Sequence, residues 1–197
     1  MKQIIFISEN SNKFDEIQNY ITRNQIPIQL TLYKPSNEIY EIQSLDRNHI
    51  ITQKTIAGYN EYINHKPNYI SSDTWVMVED TSLTIDKMGG FPGPFIKFYL
   101  QSLPLLEISN MNWGSGASSI VSLGLAKMCP SMEIVPIVFE GIISGNIVAP
   151  AGNNGFGYDF IFKPVQSNHT LAEITMNDKE KYNARILAFQ KVVNYLC

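Results

Sequence analysis

Five short stretches of the chain carry side chains whose type and spacing could do chemistry. The first is Ser8-Glu9-Asn10-Ser11-Asn12-Lys13-Phe14-Asp15-Glu16, polar residues that follow an apolar run. A helix start offers unpaired N–H groups and the positive end of a dipole, which suits a phosphate. Lys13 adds a full charge in the first turn, and Glu16, three residues on, shares its face. The same residues also describe an ordinary capped helix with a solvated ion pair. The second stretch is Glu79-Asp80-Thr81-Ser82 after Trp75-Val76-Met77-Val78. Carboxylates at the end of a buried strand suit a hard cation such as Mg²⁺, which needs one or two of them and completes its shell with water and phosphate. An acidic strand-end turn reads equally well. The third, Gly89-Gly90-Phe91-Pro92-Gly93-Pro94, leads to Lys97; glycines allow close backbone approach to a ligand and prolines stiffen the loop, or the loop is a turn and no more. The fourth, Gly155-Phe156-Gly157-Tyr158-Asp159, sets an aromatic between glycines, where it can stack on a base for about 1–3 kcal/mol or pack into a core. The fifth, Lys179 to Arg185, opens the last predicted helix and reads as a solvated basic face.

These stretches need a scaffold. Ile4–Ile7 is a continuous apolar run that predicts a strand buried on both faces. Over residues 12–22, Phe14, Ile17 and Ile21 recur at helical spacing, so strand, polar turn and helix open a βα unit. Ile28–Tyr33 predicts a second strand. Residues 50–63, carrying Ile51, Thr55, Tyr59 and Tyr62, predict a long helix stopped by Pro67-Asn68. Trp75–Val78 predicts a third strand, ending at Glu79-Asp80-Thr81. Residues 88–94 hold three glycines and two prolines and must form a constrained loop, with a helix over Phe95–Leu103 after Pro94. Ser118–Ala126, Ile134–Gly141 and, after a turn, Ile142–Val148 predict further strands. Ala149–Gly157 is another loop. Tyr182, Ile186, Phe189, Val193 and Leu196 predict a closing helix from Asp178 to Leu196. The mixture specifies an α/β class with a partly antiparallel sheet.

Composition narrows the function. A chain of 197 residues suits one domain with a real core, and its net charge of −3 supplies no basic stripe for nucleic acid or a membrane surface. Phosphate binding must come from a few local lysines and backbone amides. Cys129 and Cys197 make no disulfide framework, so a reducing compartment is expected. The N-terminal apolar run is too short for a signal segment, and no stretch approaches the ~20 apolar residues of a membrane span. His49, His65 and His169 lack metal-ligand spacing. The phosphate-loop pattern G-x-x-x-x-G-K-[ST] is missing.

In order and spacing these elements resemble the inosine triphosphatase family over nearly the whole chain. The carriers are Ser8, Asn10, Lys13 and Glu16; Glu41-Ile42-Gln43; Val78-Glu79-Asp80-Thr81-Ser82-Leu83 with Gly89 to Lys97; Phe139-Glu140-Gly141; Gly145-Asn146-Ile147; Gly155 to Asp159; and Thr170-Leu171-Ala172-Glu173, with Lys179 and Arg185 downstream. The resemblance implies an elongated mixed α/β sheet flanked by helices, a single domain over 1–197 with two lobes and a central cleft, and a homodimer; the cysteines and the apolar runs give the cytoplasmic expectation. It implies hydrolysis of ITP, dITP and XTP to the monophosphate and pyrophosphate with Mg²⁺. Ser8, Asn10 and Lys13 would hold the triphosphate. Glu41 and Asp80, with Glu79, would hold Mg²⁺, and Asp80 would activate the attacking water. Lys54 and Lys97 would add positive charge. Phe156 would stack on the base, while Tyr158, Asp159, Lys179 and Arg185 shape the nucleoside pocket. Metal and lysines would neutralise charge as water attacks the α-phosphorus in line.

The chain departs from the pattern in two places. Where the family usually has Ser-His-Arg, this chain has Asn183-Ala184-Arg185; Arg185 can still donate to a 6-oxo group, but the imidazole is gone, and a lost contact in a base pocket relaxes or redirects specificity. Glu9 replaces a small residue beside the expected phosphates. Three readings stay open: a pyrophosphatase for deaminated purines, one retuned to another base, and a silent nucleotide-binding module. The enzymatic readings require Asp80 and Glu41 to share their surroundings with Lys13.

Overall fold

A computed structural model describes residues 2–36, 39–65, 73–129 and 133–197. The chain divides into two compact units, one of Met1–Asp80, Ser122–Glu140 and Ala188–Cys197, the other of Thr81–Val121 and Gly141–Leu187.

In the first unit, strand β1 (Lys2–Ile7) is followed by helix α1 (Ser11–Arg23), strand β2 (Ile28–Tyr33), helix α2 (Arg47–His65) and strand β3 (Thr74–Ile85). As expected, Ile4 to Ile7 are buried on both faces. Asn10 caps α1, its side chain accepting from Asn12 N at 3.0 Å, and Ile17 and Ile21 bury the helix's apolar stripe. Ile50, Ile51, Thr55, Tyr59 and Tyr62 do the same for α2. Pro67 and Asn68, expected to stop that helix, lie outside the described residues.

β1 pairs in parallel with β2 on one side and β3 on the other. Parallel crossovers are right-handed, and the steps β1→β2 and β2→β3 run in opposite directions across the sheet, so α1 and α2 must fall on opposite faces. The contacts agree. α2 lies on the face of Ile7 and Val78, since a Cβ at Gly58 would sit 3.3 Å from Ile7 Cδ1 and 2.8 Å from Val78 Cγ1. That face forms a core of Ile5, Ile7, Ile51, Tyr59, Tyr62, Val76 and Val78. On the other face, Trp75 of β3 meets Tyr195, and Tyr20 of α1 meets Phe189, both edge to face. Glu140, a carrier of the family resemblance, accepts from Arg47 Nε at 3.1 Å and from Ser122 Oγ at 3.0 Å, which fixes the start of α2.

The second unit adds strand β4 (Pro92–Gly93), helices α3 (Ile96–Ser102) and α4 (Leu105–Asn112), strand β7 (Phe162–Pro164) and helix α5 (Met176–Lys179). Its core includes Leu83, Ile85, Ile96, Tyr99, Ile108, Tyr158, Ile161 and Phe162. Strands β5 (Gly116–Lys127) and β6 (Ile137–Ile147) and helix α6 (Ala184–Leu196), like β3, run through residues of both units. The strand order is β2-β1-β3-β5-β6-β7, with β4 antiparallel to β3 and β7 antiparallel to β6. No helix among the described residues is long and apolar enough to cross a membrane.

Several expectations change. β3 does not stop at Glu79-Asp80 but continues to Ile85, because Leu83 and Ile85 alternate into the second core. The turn expected near Ile142 is absent; β6 is one strand. α4 has no strong periodicity and went unpredicted. The closing helix is broken: Asn183 is extended (φ −104°, ψ 111°) and its Oδ1 accepts from Arg185 N at 2.8 Å, so α6 starts at Ala184.

Gly124 shows how closely α2 is seated on β5. A Cβ there would lie 1.8 Å from Thr55 Oγ1, which is buried and donates to Ile51 O at 2.6 Å. Gly124→Ala should therefore lower stability by roughly 1–3 kcal/mol, the usual cost of overpacking, seen as a lower denaturant midpoint; an unchanged midpoint would mean that α2 is not seated in this way.

Candidate active site

The first unit gathers five charged groups where β1 ends. Phe6 pairs with Met77, so one step further Ile7 faces Val78, and beyond it β1 gives way to the turn Ser8–Asn10. Ser8 accepts from Asn10 N at 3.1 Å, and Ser8 N donates to Tyr33 O at 3.2 Å. β3 continues past this point, so Glu79 and Asp80 lie beside the gap left by β1. This is the switch point of the β2-β1-β3 order, the crevice where open α/β sheets bind ligands. Both carboxylates sit in the middle of the sheet order, not at its edge, and in mid-strand, not at a strand end.

Adjacent strand residues point to opposite faces. Glu79 faces α1, where its Oε1 lies 3.1 Å from Lys13 Nζ. Asp80 shares the face of Val76 and Val78, on which α2 carries Lys54. Lys54 Nζ in turn contacts Glu41 Oε1, from the irregular segment before α2. Asp80 is 6% exposed, and its Oδ2 has no hydrogen-bond partner among the described residues. Burial pushes its pKa up to about 6; Lys54 and Lys13 pull it down, and Glu41 and Glu79 push it up. The five groups thus share one electrostatic environment.

A buried, unsatisfied carboxylate oxygen is costly and is the kind of group a hard cation relieves. Mg²⁺ asks for only one or two carboxylates, so Asp80 with a neighbouring glutamate fits it. Among the described residues no set of three or more acidic, His or Cys side chains is arranged to hold a metal; lysines stand between the carboxylates.

The second unit holds the aromatic site. Lys179 Nζ and Arg185 Cζ lie 5.9 and 5.6 Å from the centre of the half-buried Phe156 ring, within cation–π range. One oxygen of Asp159, Oδ2, accepts from Lys179 Nζ at 2.6 Å and from Phe156 N at 3.2 Å. A Cβ at Gly155 would meet that side chain at 2.7 Å. Lys179 and Arg185 are 5% and 4% exposed, so they are not a solvated basic face. Tyr158 turns inward, its hydroxyl 2.8 Å from Ser119 Oγ. Lys97 is exposed on α3, and Glu9 is exposed in the first turn.

Three contributions were not read from the sequence, although Asn183 and Thr170 to Glu173 were noted there as parts of the family pattern. Asn183 caps α6 directly ahead of Arg185. Ser119 anchors Tyr158. Thr170 to Glu173 support the loop before Phe156: Thr170 Oγ1 donates to Ala151 O at 3.0 Å, and Ala172 O accepts from Asn153 N and Asn154 N at 3.1 and 2.8 Å. Only Asn183 had a legible signal, as a helix-capping residue.

A family model described as the Ham1 family matches residues 4–195, and the chain belongs to that family. The chain is 30% identical to the inosine triphosphate pyrophosphatase of Kluyveromyces lactis, covering 98% of this chain and 95% of that one. It is 32% identical to the protein of the same name from Emericella nidulans, covering 100% and 97%. Among solved structures, a HAM1 protein from Coxiella burnetii shares the fold with a TM-score of 0.71 at 21% identity, covering 100% of this chain and 98% of that one.

Because Asp80 is held above the ordinary 3.8, the folded chain binds a proton there more tightly than the unfolded chain. That contribution to stability is full below about pH 4 and is lost as pH rises through about 6. In metal-free protein, Asp80→Asn should be more stable than the wild type above pH 6 by up to about 3 kcal/mol, with the gap closing towards pH 4. Thermal melts across that range check this; a gap independent of pH would show that Asp80 is not destabilised by burial.

Proposed function

We propose that this chain hydrolyses deaminated purine nucleoside triphosphates, such as ITP, dITP and XTP, to the nucleoside monophosphate and pyrophosphate. Its two units serve as the lobes of a single inosine triphosphatase-like domain. The observation that carries the reading is Asp80: a buried carboxylate with an unpartnered oxygen, at a sheet switch point, between a lysine from each of two helices. A structural ion pair would satisfy that oxygen.

In this reading Ser8, Asn10 and the start of α1 cradle the polyphosphate, with Lys13 and Lys54 supplying charge and Lys97 a further cation. Asn10 also caps the helix, so it orients the turn that meets the phosphates. Asp80, with Glu79 and Glu41, provides the oxygens for Mg²⁺. When bound, that ion neutralises phosphate charge and polarises the reacting phosphorus. Asp80 accepts a proton from the attacking water, the α–β anhydride bond breaks, and pyrophosphate leaves with its charge matched by the lysines. Phe156 stacks on the base. Arg185 and Lys179 donate to an acceptor on its edge, Asp159 holds Lys179 and the Phe156 turn in place, and Tyr158 props them from the core. Mg²⁺ as the particular metal and a homodimer are carried from the family resemblance, and action in the cytoplasm from the cysteines and apolar runs of the sequence.

One observation favours a second reading in which the reaction is kept and the base preference altered. Ala184, where the family usually has histidine, is 3% exposed at the first position of α6, so Arg185 meets the base edge without the neighbouring imidazole.

Pyrophosphate release from a panel of NTPs and dNTPs with Mg²⁺ separates the readings. Preference for ITP, dITP and XTP is expected; turnover without it points to retuning, and none at all to a silent binder. Asp80→Asn should lower kcat by about 10²–10⁴-fold with folding and nucleotide binding retained; unchanged turnover removes Asp80 from the mechanism. Phe156→Ala should weaken binding by about 1–3 kcal/mol, read as a raised KM for every base.

A further inference from the structure

In the ligand-free chain the two glutamates that would assist Asp80 in holding a metal are each engaged by a lysine that would serve the phosphates. Lys13 Nζ is 3.1 Å from Glu79 Oε1, and Lys54 Nζ contacts Glu41 Oε1. Asp80 lies in the field of both pairs, 6% exposed, with its Oδ2 lacking a hydrogen-bond partner among the described residues. We propose that Lys13 and Lys54 are internal cations that occupy Glu79 and Glu41 until a polyphosphate draws them off, so that metal and polyphosphate load together and neither loads well alone.

The inference rests on reading the first unit as a metal–triphosphate site, and it assigns that site's order of assembly. Three carboxylates and two ammonium groups leave a formal charge of −1 when Asp80 is ionised. A divalent ion entering alone would have to shed water beside two ammonium groups for glutamate oxygens already in use. A polyphosphate supplies several anionic oxygens at once and competes directly for both lysines. As each lysine changes partner, a glutamate is released to the metal. The coupling must be reciprocal: whatever tightens the metal in the presence of phosphate tightens phosphate in the presence of metal.

The two pairs differ in how easily they open. Glu41 sits on irregular backbone with its side chain 45% exposed; released, it meets water. The Glu79 side chain is 1% exposed, and separating a buried pair is expensive. Lys54 and Glu41 therefore form the first exchange.

The test uses Mn²⁺ as the metal and inorganic tripolyphosphate as the anion, with binding read by calorimetry and Mn²⁺ spin resonance on the full chain. The wild type should bind Mn²⁺ alone weakly and preformed Mn²⁺–tripolyphosphate far more tightly. Lys54→Met should tighten Mn²⁺ alone by roughly 5–150-fold, the usual span of a coupling between ligands, and should shrink the advantage of the complex. Lys54→Gln gives a second neutral variant, and Lys54→Arg should behave as the wild type. The gain in Lys54→Met should vanish when Glu41→Gln is added, because the lysine then has no ligand to release. Equal wild-type affinity for Mn²⁺ with and without tripolyphosphate overturns the proposal, as does a gain that survives Glu41→Gln, which would make it general charge. The NTP panel fails independently: no turnover sinks the proposed activity, whereas turnover with unchanged Mn²⁺ affinity in Lys54→Met sinks only the exchange.

Discussion

Asp80 is a carboxylate deprived of water and of a hydrogen bond on one oxygen. Folding moves it from solvent into a wall of Val76, Val78 and α2, and among the described residues no hydrogen bond reaches its Oδ2. Lys54 and Lys13 offset part of the penalty from a distance; Glu41 and Glu79 add to it. Such a residue persists only where the surrounding structure over-determines its position, and here a central strand does so. β3 lies between β1 and β5 in the strand order, and it carries Asp80 past the point where β1 ends.

The same constraint explains the architecture of the first unit. A strand order that reverses at β1 forces the two crossover helices onto opposite faces, and the early end of β1 opens a gap between them. One lysine comes from the first turn of α1 and one from the second turn of α2, so cations approach Asp80 from two directions. Stabilising features are placed around this gap and not in it: Asn10 caps α1, Glu140 holds the beginning of α2, and Gly58 and Gly124 let α2 lie flat on the sheet. The cost is concentrated where chemistry can use it, the usual trade between stability and activity.

In the second unit one oxygen joins two parts of the site. Asp159 Oδ2 ties the backbone of Phe156 to the ammonium of Lys179, and the segment from Thr170 to Glu173 holds the loop from behind. The ring and its two cations are therefore arranged before any base arrives, which lowers the ordering cost of binding. The reaction class and the base preference are separable in such a design. In the proposed function the former would rest on charges in the first unit and the latter on the few residues around Phe156, where Asn183-Ala184-Arg185 differs from the family pattern.

Much of this was legible in the residues alone. Continuous apolar runs specify strands buried on both faces, helical spacing specifies α1 and α2, and the order of several motifs, strongest over Val78–Leu83 and Gly89–Lys97, carries the family resemblance. Local signals failed where a distant partner decides the outcome. Two acids in a row read as a strand end, yet β3 runs on because Leu83 and Ile85 find a second core. Lys179 and Arg185 read as a solvated face, yet they are buried because Asp159 and the Phe156 ring take up their charge. Sequence determined which chemical groups are present and the elements that carry them, since periodicity and capping act over a few residues. Tertiary structure alone decided which lysine meets which carboxylate and that Asp80 is left unsatisfied, because dehydration and pairing depend on what other segments bring to the same place.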